Sequence, residues 1–243
     1  MKRSIRIGNR IFRHHKVCET ITGQILRAIQ YHNINFVFDV GANKGQYARE
    51  LFSMGYNGKI ISFEPVRKSY DLLFLERIKN KYSDCDWEIH SRCAIGEKED
   101  KLKINVSDYD ETSSFLQQSS TRDIGRDYGK YIGKEVVPVH SFDNIFKKYE
   151  ESFPGKNYFL KLDVEGYEWN IFKGMKTSWK GLKGIQVESA FVPLWDDAKL
   201  YQDIIKLVES KGFKLFAVHS ITNNEKTGQT LAFDLIFFKE GEE

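Results

Sequence analysis

Cysteine is scarce in this chain, strong net charge is missing, and no apolar run is long enough to span a bilayer. The three cysteines, Cys18, Cys85 and Cys93, show no Cys-x-x-Cys spacing. That excludes a disulfide frame and a cysteine-based zinc site, and reads as free thiols in a reducing compartment. No stretch approaches the length of a membrane span. The N-terminus has basic residues but no apolar h-region, so it is not a secretory signal and a cytoplasmic location is expected. A net charge of +3 does not call for nucleic acid as a partner. No internal repeat or domain linker stands out.

What is present is enough for a substantial core: 41% hydrophobic and 14% aromatic residues in 243. That suits one α/β domain with extensions. The charge anomaly is N-terminal. Lys2, Arg3, Arg6, Arg10, Arg13 and Lys16 precede the first acid, Glu19, and alternate with Ile5, Ile7, Ile11, Phe12 and Val17. Residues 1–32 are expected as a basic helical arm packed through Ile11, Phe12, Ile21 and Ile25. The competing reading is an amphipathic segment that makes peripheral contact with the inner face of the membrane or with an acidic substrate.

Residues 36–47, Phe-Val-Phe-Asp-Val-Gly-Ala-Asn-Lys-Gly-Gln-Tyr, join an apolar strand, an Asp, a glycine-bearing loop and a helix. A second strand, 59–63, ends in Glu64. This is the layout of a nucleotide-binding βαβ unit, with Glu64 placed for ribose hydroxyls. The loop reads Gly41-x-x-x-Gly45; Asn43 stands where the glycine that admits a pyrophosphate would be. That disfavours NAD and FAD and favours an adenosine ligand without pyrophosphate, such as S-adenosylmethionine. Asp39 is then placed for the methionine ammonium.

Periodicity predicts helices over 20–31, 46–52, 69–79 (Leu72, Leu73, Leu75 and Ile78 inward), 142–149 capped by Ser141, 168–172 and 200–211. Strands are expected over 36–40, 59–63, 87–95, 101–106, 135–139, 158–163, 184–188, 213–219 and 231–239, the last two antiparallel. The polar stretch 107–134 is expected to be a lid or substrate loop, with Tyr109, Phe115, Tyr128 and Tyr131 available to stack on a sugar ring. Residues 190–195, Ala-Phe-Val-Pro-Leu-Trp, would form the opposite wall.

The second constellation is Lys161-Leu162-Asp163-Val164-Glu165-Gly166-Tyr167-Glu168. Four charges at the C-terminal end of a strand need either mutual pairing or a ligand. Asp163 is expected beside the first loop, as base for a hydroxyl proton or as ligand to a divalent cation. Glu165 and Glu188 are the further metal candidates. Glu168 either joins them or caps the next helix. Lys161 shares a face with Asp163 and is also a catalytic candidate. His140, suited to proton transfer near neutral pH, is the rival base, and His219 ranks with it.

Three blocks in order, residues 38–45, Phe63-Glu64-Pro65 and residues 161–168, resemble the FkbM-type methyltransferases. So does the Thr112-Ser113-Ser114-Phe115 patch and, less closely, residues 137–143, where His140-Ser141-Phe142 departs from the family's Thr-Leu. The resemblance covers about residues 34–240. It implies a Rossmann-like class I methyltransferase fold over 33–243: a mostly parallel seven-stranded sheet, helices on both faces and an antiparallel C-terminal strand. It implies S-adenosylmethionine as methyl donor and O-methylation of a sugar, a polysaccharide or glycolipid, or a glycosylated natural product. By position, Asp39, Gly41, Ala42, Asn43, Gly45 and Tyr47 would hold the methionine end. Glu64 and Pro65 would meet the ribose, and Cys93, Ala94 and Ile95 would lie near the adenine. Ser114 and Asp163 would complete the site. No Asn/Asp-Pro-Pro-Tyr patch is present, which favours oxygen over an amine. N-methylation of a small amine and a non-catalytic binding protein stay as alternatives. A homodimer is compatible with the sequence.

Overall fold

The computed structural model describes residues 4–7, 10–13, 21–125 and 128–239. Its centre is β3, Phe36–Val40, buried along its whole length, as a strand covered on both faces must be. It pairs in parallel with β4 (Lys59–Phe63) on one side and β9 (Tyr158–Leu162) on the other. Outward from β4 lies β5 (Trp87–Ile89), also parallel. Outward from β9 come β10 (Leu182–Ala190), parallel, then β12 (Thr230–Lys239), antiparallel, then the edge strand β11 (Phe213–Asn223). The order is β11-β12-β10-β9-β3-β4-β5. β12 alone runs against its sheet, and the expected antiparallel closing pair is present.

Alternation along the strands divides the core. Phe36, Phe38, Leu160 and Leu162 face one layer, with α4 (Phe142–Ser152) and α5 (Glu168–Gly174) packed against it. Val37, Ile60 and Phe159 face the other, with α1 (Ile21–Tyr31) and α2 (Gln46–Ser53). The remaining helices are α3 (Arg67–Arg77) and α6 (Tyr201–Ser210). Ser141 caps α4 as expected, accepting from the Asn144 N–H at 3.3 Å.

Three expectations are corrected. The single strand over 87–95 is two. β5 ends at Ile89, and after a turn at 90–93 the chain leaves the main sheet as β6 (Ala94–Gly96). There it pairs with β8 (Tyr131–Ser141), which pairs antiparallel with β7 (Asp100–Ser107) in a separate three-stranded sheet. A continuous apolar run cannot show where a strand changes partner. In α3 only Leu73 of the four expected inward residues is fully buried, while Leu75 and Ile78 are more than half exposed; at 100° per residue one stripe cannot bury all four. The arm is not helical where it is described: β1 (Ser4–Ile7) and β2 (Arg10–Arg13) form an antiparallel hairpin, and α1 starts at Ile21. Helix-compatible spacing over so short a segment also fits a hairpin.

Candidate active site

The C-terminal edges of β3, β4, β9 and β10 meet around one cavity of about 410 Å³, within the range of small-molecule sites. Gly41, Ala42, Asn43, Tyr47, Glu64, Pro65, Cys93, Ala94, Lys161, Asp163, Glu165 and Glu188 all border it. Asp39, Gly45, Ser114 and His140 do not.

The two loop glycines are required by neighbouring protein. Gly41 has φ 79°, and a Cβ there would lie 1.7 Å from the Asp163 carbonyl oxygen. The first loop therefore touches the end of β9, and no side chain fits between them. Gly45 opens α2, where a Cβ would lie 2.7 Å from the Trp87 ring. Asn43 takes φ 48°, which Asn tolerates better than most residues. Its N–H donates to Glu64 Oε2 at 2.9 Å, and the Val66 N–H donates to Oε1 at 2.8 Å. Burial pushes the Glu64 carboxyl up to about 8 against the pull of those two donors.

A polar row crosses the sheet in register: Ser62 opposite Asp39, Asp39 opposite Lys161, Lys161 opposite Gln186. Trp87 Nε1 donates to Ser62 Oγ at 3.0 Å, and Ser62 Oγ to Asp39 Oδ2 at 2.9 Å. Lys161 Nζ lies 3.4 Å from Asp39 Oδ1 and 3.3 Å from Asp163 Oδ2, and donates to the Gly41 carbonyl at 3.1 Å. Asp39 is thus fully buried: Ser62 donates to Oδ2, while Oδ1 has no hydrogen-bond partner among the described residues and lies 3.4 Å from the Lys161 ammonium, which itself borders the cavity. Burial raises the Asp39 pKa, partly offset by Lys161. For Lys161 burial works against the charge, but Asp163 and Asp39 outweigh it and hold the ammonium above its ordinary value.

The row continues through Gln186. Tyr47 donates to Gln186 Oε1 at 3.1 Å, and Gln186 Nε2 to Asp234 Oδ2 at 2.9 Å. Burial and the nearby Asp163 charge push Asp234 up to about 7. Gln186, Asp234 and Tyr167 border the cavity and were not among the sequence candidates. The available signal was a polar side chain inside an otherwise apolar strand, at 186 and again at 234.

Asp163, Glu165 and Glu188 bring carboxylate oxygens within 4.8 Å of one another. Burial and the neighbouring carboxylates raise the pKa of both Glu165 and Glu188. Glu165 has φ 56°, and its carbonyl accepts from Ser114 Oγ at 2.7 Å. Ser114 therefore holds the acidic turn from outside the cavity. Glu168 is separate: its Oε1 accepts from the Val164 and Gly166 N–H groups at 3.0 and 3.3 Å, pinning the turn before α5. His140 lies elsewhere. Its Nδ1 is 2.6 Å from Glu99 Oε2, and Glu99 Oε1 accepts from the Ser141 N–H and Asn144 Nδ2, so the pair belongs to the start of α4. His219 is on β11, outside the cavity lining.

The segment between β7 and β8 closes one wall. Asp110 pairs with Lys44 at 2.6 Å and Lys68 at 2.8 Å, and its carbonyl accepts from Asn43 Nδ2 at 3.0 Å. Gln46 Nε2 donates to Glu111 at 3.2 Å. Phe115 and Tyr128 from the same segment border the cavity. Arg122 lies 4.6 Å from the Tyr128 ring centre and 4.9 Å from that of Trp195, joining this wall to residues 190–195.

These residues fit S-adenosylmethionine. A buried carboxylate at the end of β4 suits two ribose hydroxyls, and Asn43 Oδ1 is buried with no hydrogen-bond partner among the described residues. Asp163, Glu165 and Glu188 are an all-oxygen donor set of the kind that holds magnesium, calcium or manganese.

The strand order is that of the Rossmann-like class I methyltransferase fold. The Methyltransferase FkbM domain matches residues 39–215, and the chain belongs to the FkbM methyltransferase family, as an S-adenosylmethionine-dependent enzyme. It is 23% identical over 198 residues to Methyltransferase sdnD of Sordaria araneosa, covering 74% of each chain. Among solved structures it is similar to the magnesium protoporphyrin IX methyltransferase of Synechocystis PCC 6803 with bound SAM, at 10% identity and TM-score 0.48, covering 93% of this chain and 80% of that one. It is also similar to the precorrin-6y C5,15-methyltransferase of Geobacter metallireducens, at 10% identity and TM-score 0.47, covering 90% and 88%. Among the described residues no helix is long and apolar enough to cross a membrane.

Proposed function

We propose that the protein transfers a methyl group from S-adenosylmethionine to a hydroxyl of a sugar, a polysaccharide or glycolipid, or a glycosylated natural product. The observation that carries the reading is the position of Asp163. It borders the cavity, its backbone abuts Gly41, and one carboxylate oxygen is held by Lys161. In this reading Glu64 accepts from the ribose hydroxyls, and the adenine lies towards Cys93 and Ala94. The methionine end meets the 41–43 backbone and the Lys161 ammonium, which suits its carboxylate. The bound sulfonium supplies an electrophilic methyl. The protein's own part is to align donor and acceptor and to exclude water.

Asp163 accepts the acceptor hydroxyl proton as the new O–C bond forms and the S–C bond breaks. Asp163, Glu165 and Glu188 are the groups that would hold a divalent cation. The same carboxylates, with Asp234 nearby, favour a second reading in which the acceptor carries an amine. The test is transfer of labelled methyl from S-adenosylmethionine to a panel of glycans, each offered as free sugar, amino sugar and O-blocked sugar. Label on hydroxyl oxygen supports the first reading. Label on nitrogen alone selects the second.

A further inference from the structure

One face of the three-stranded sheet is covered; the other is open along Lys101, Lys103, Lys134, Val136 and Pro138, while Asn105 and Ile95 on that side are buried. In an antiparallel pair, residues directly opposite each other share a face. Leu102 opposite Val137, with Ile104, Val106 and Val139, builds the inward side against Val66 and Ala94. The other side pairs Lys101 with Pro138, Lys103 with Val136 and Asn105 with Lys134. By register, no carboxylate falls on that side within the paired stretch. Lys101, Lys103 and Lys134 are all exposed, and none makes an ion pair among the described residues. Val136 is 55% exposed, and Ile132, at the entry to β8, is 68% exposed.

We propose that this open face is a docking surface for an anionic lipid bilayer. Three lysines without an ion pair among the described residues supply attraction to the headgroups of an anionic leaflet. The exposed Ile132 and Val136 beside them suit partial insertion at the headgroup boundary. That pairing of cation and aliphatic favours lipid over nucleic acid, whose phosphate contacts gain nothing from exposed aliphatics. Of the described β7 and β8 residues, Ile104, on the covered side, borders the cavity. Ser107 and Tyr131, where the cavity-bordering segment leaves and rejoins the small sheet, are paired. Tyr109, just past Ser107, is 43% exposed. The surface goes beyond the methyl-transfer reading and stands without it, because binding is measured with no acceptor present.

The experiment is co-sedimentation of the full chain with vesicles of phosphatidylglycerol in phosphatidylcholine, and with phosphatidylcholine alone. The wild type is expected to bind the anionic vesicles only. The triple variant Lys101→Glu, Lys103→Glu, Lys134→Glu is expected to lose at least roughly a hundredfold in partitioning, with unchanged circular dichroism and melting. If it does not fold, the charge-neutral Lys101→Gln, Lys103→Gln, Lys134→Gln variant makes the same test. A variant of the N-terminal hairpin, Arg6→Glu, Arg10→Glu, Arg13→Glu, is expected to keep most of the binding. Three results would overturn the proposal: no vesicle binding by the wild type, equal binding to both vesicle types, or wild-type binding by the lysine variant.

Discussion

Asp39 and Lys161 face each other across the β3–β9 ladder, with the ammonium 3.4 Å from the carboxylate and both side chains buried. The same ammonium reaches Asp163 at 3.3 Å. The buried pair thus ties the end of the first strand to the residue assigned as proton acceptor. Removing one partner of such a pair is costly because it leaves the other charge buried alone.

Lys161→Met should therefore lower stability by about 3–5 kcal/mol, read as a shift of the urea midpoint at unchanged slope. The double variant Lys161→Met, Asp39→Asn should recover much of that loss. A single-variant loss below about 1 kcal/mol, the scale of an exposed pair, would show that Asp39 and Lys161 are not coupled in the folded protein.

The raised carboxyls fix the sign of a pH dependence. Glu64 is pushed up to about 8, and Glu168 and Asp234 to about 7, by burial. Each binds its proton more tightly folded than unfolded. The stability each contributes is full below the ordinary carboxyl pKa and is lost as pH rises through the folded value. The ligand-free protein should accordingly become less stable from about pH 5 to pH 8, measured by urea unfolding at each pH. Glu64→Gln should flatten part of that slope. A profile that rises with pH over this range would contradict the buried state of these carboxyls.

Asp163→Asn keeps the shape of the side chain and removes its basicity. Turnover should fall by roughly 10²–10⁴-fold, the usual contribution of a positioned base, while S-adenosylhomocysteine binds as before. Near-normal turnover would remove Asp163 as base and as metal ligand. Chelator treatment separates those two roles. Activity lost with chelator and restored by magnesium or manganese assigns the cation to Asp163, Glu165 and Glu188. Activity untouched by chelator leaves Asp163 acting alone.

Much of this was legible in the sequence because local pattern and tertiary role coincide there. The apolar run 36–40, its Asp, the loop and Glu64 predict a nucleotide site, and Asn43 and Glu64 do meet at its edge. Asp163, Glu165 and Glu188 were expected together and are together. Asp39 was assigned to the cofactor because spacing shows that an acid ends a strand; it does not show the lysine of the neighbouring strand, whose ammonium lies 3.4 Å from Asp39 Oδ1. His140 was a rival base on chemistry alone; its partner Glu99 lies 41 residues away and outside any motif. Gln186 and Asp234 are polar positions inside largely apolar strands, a signal that lies outside any motif. The division of 87–95 between two sheets depends on β8, some forty residues later, which no local window contains.

The most direct test is calorimetric titration of wild type and Glu64→Gln with S-adenosylmethionine and S-adenosylhomocysteine, with reduced nicotinamide as control. Both sulfur ligands should bind in the micromolar range and nicotinamide should not, and Glu64→Gln should lose about tenfold in affinity, the scale of a lost hydrogen bond. Equal affinity in the two proteins would place the ribose elsewhere, and failure of both sulfur ligands to bind the wild type would contradict the assignment of this cavity.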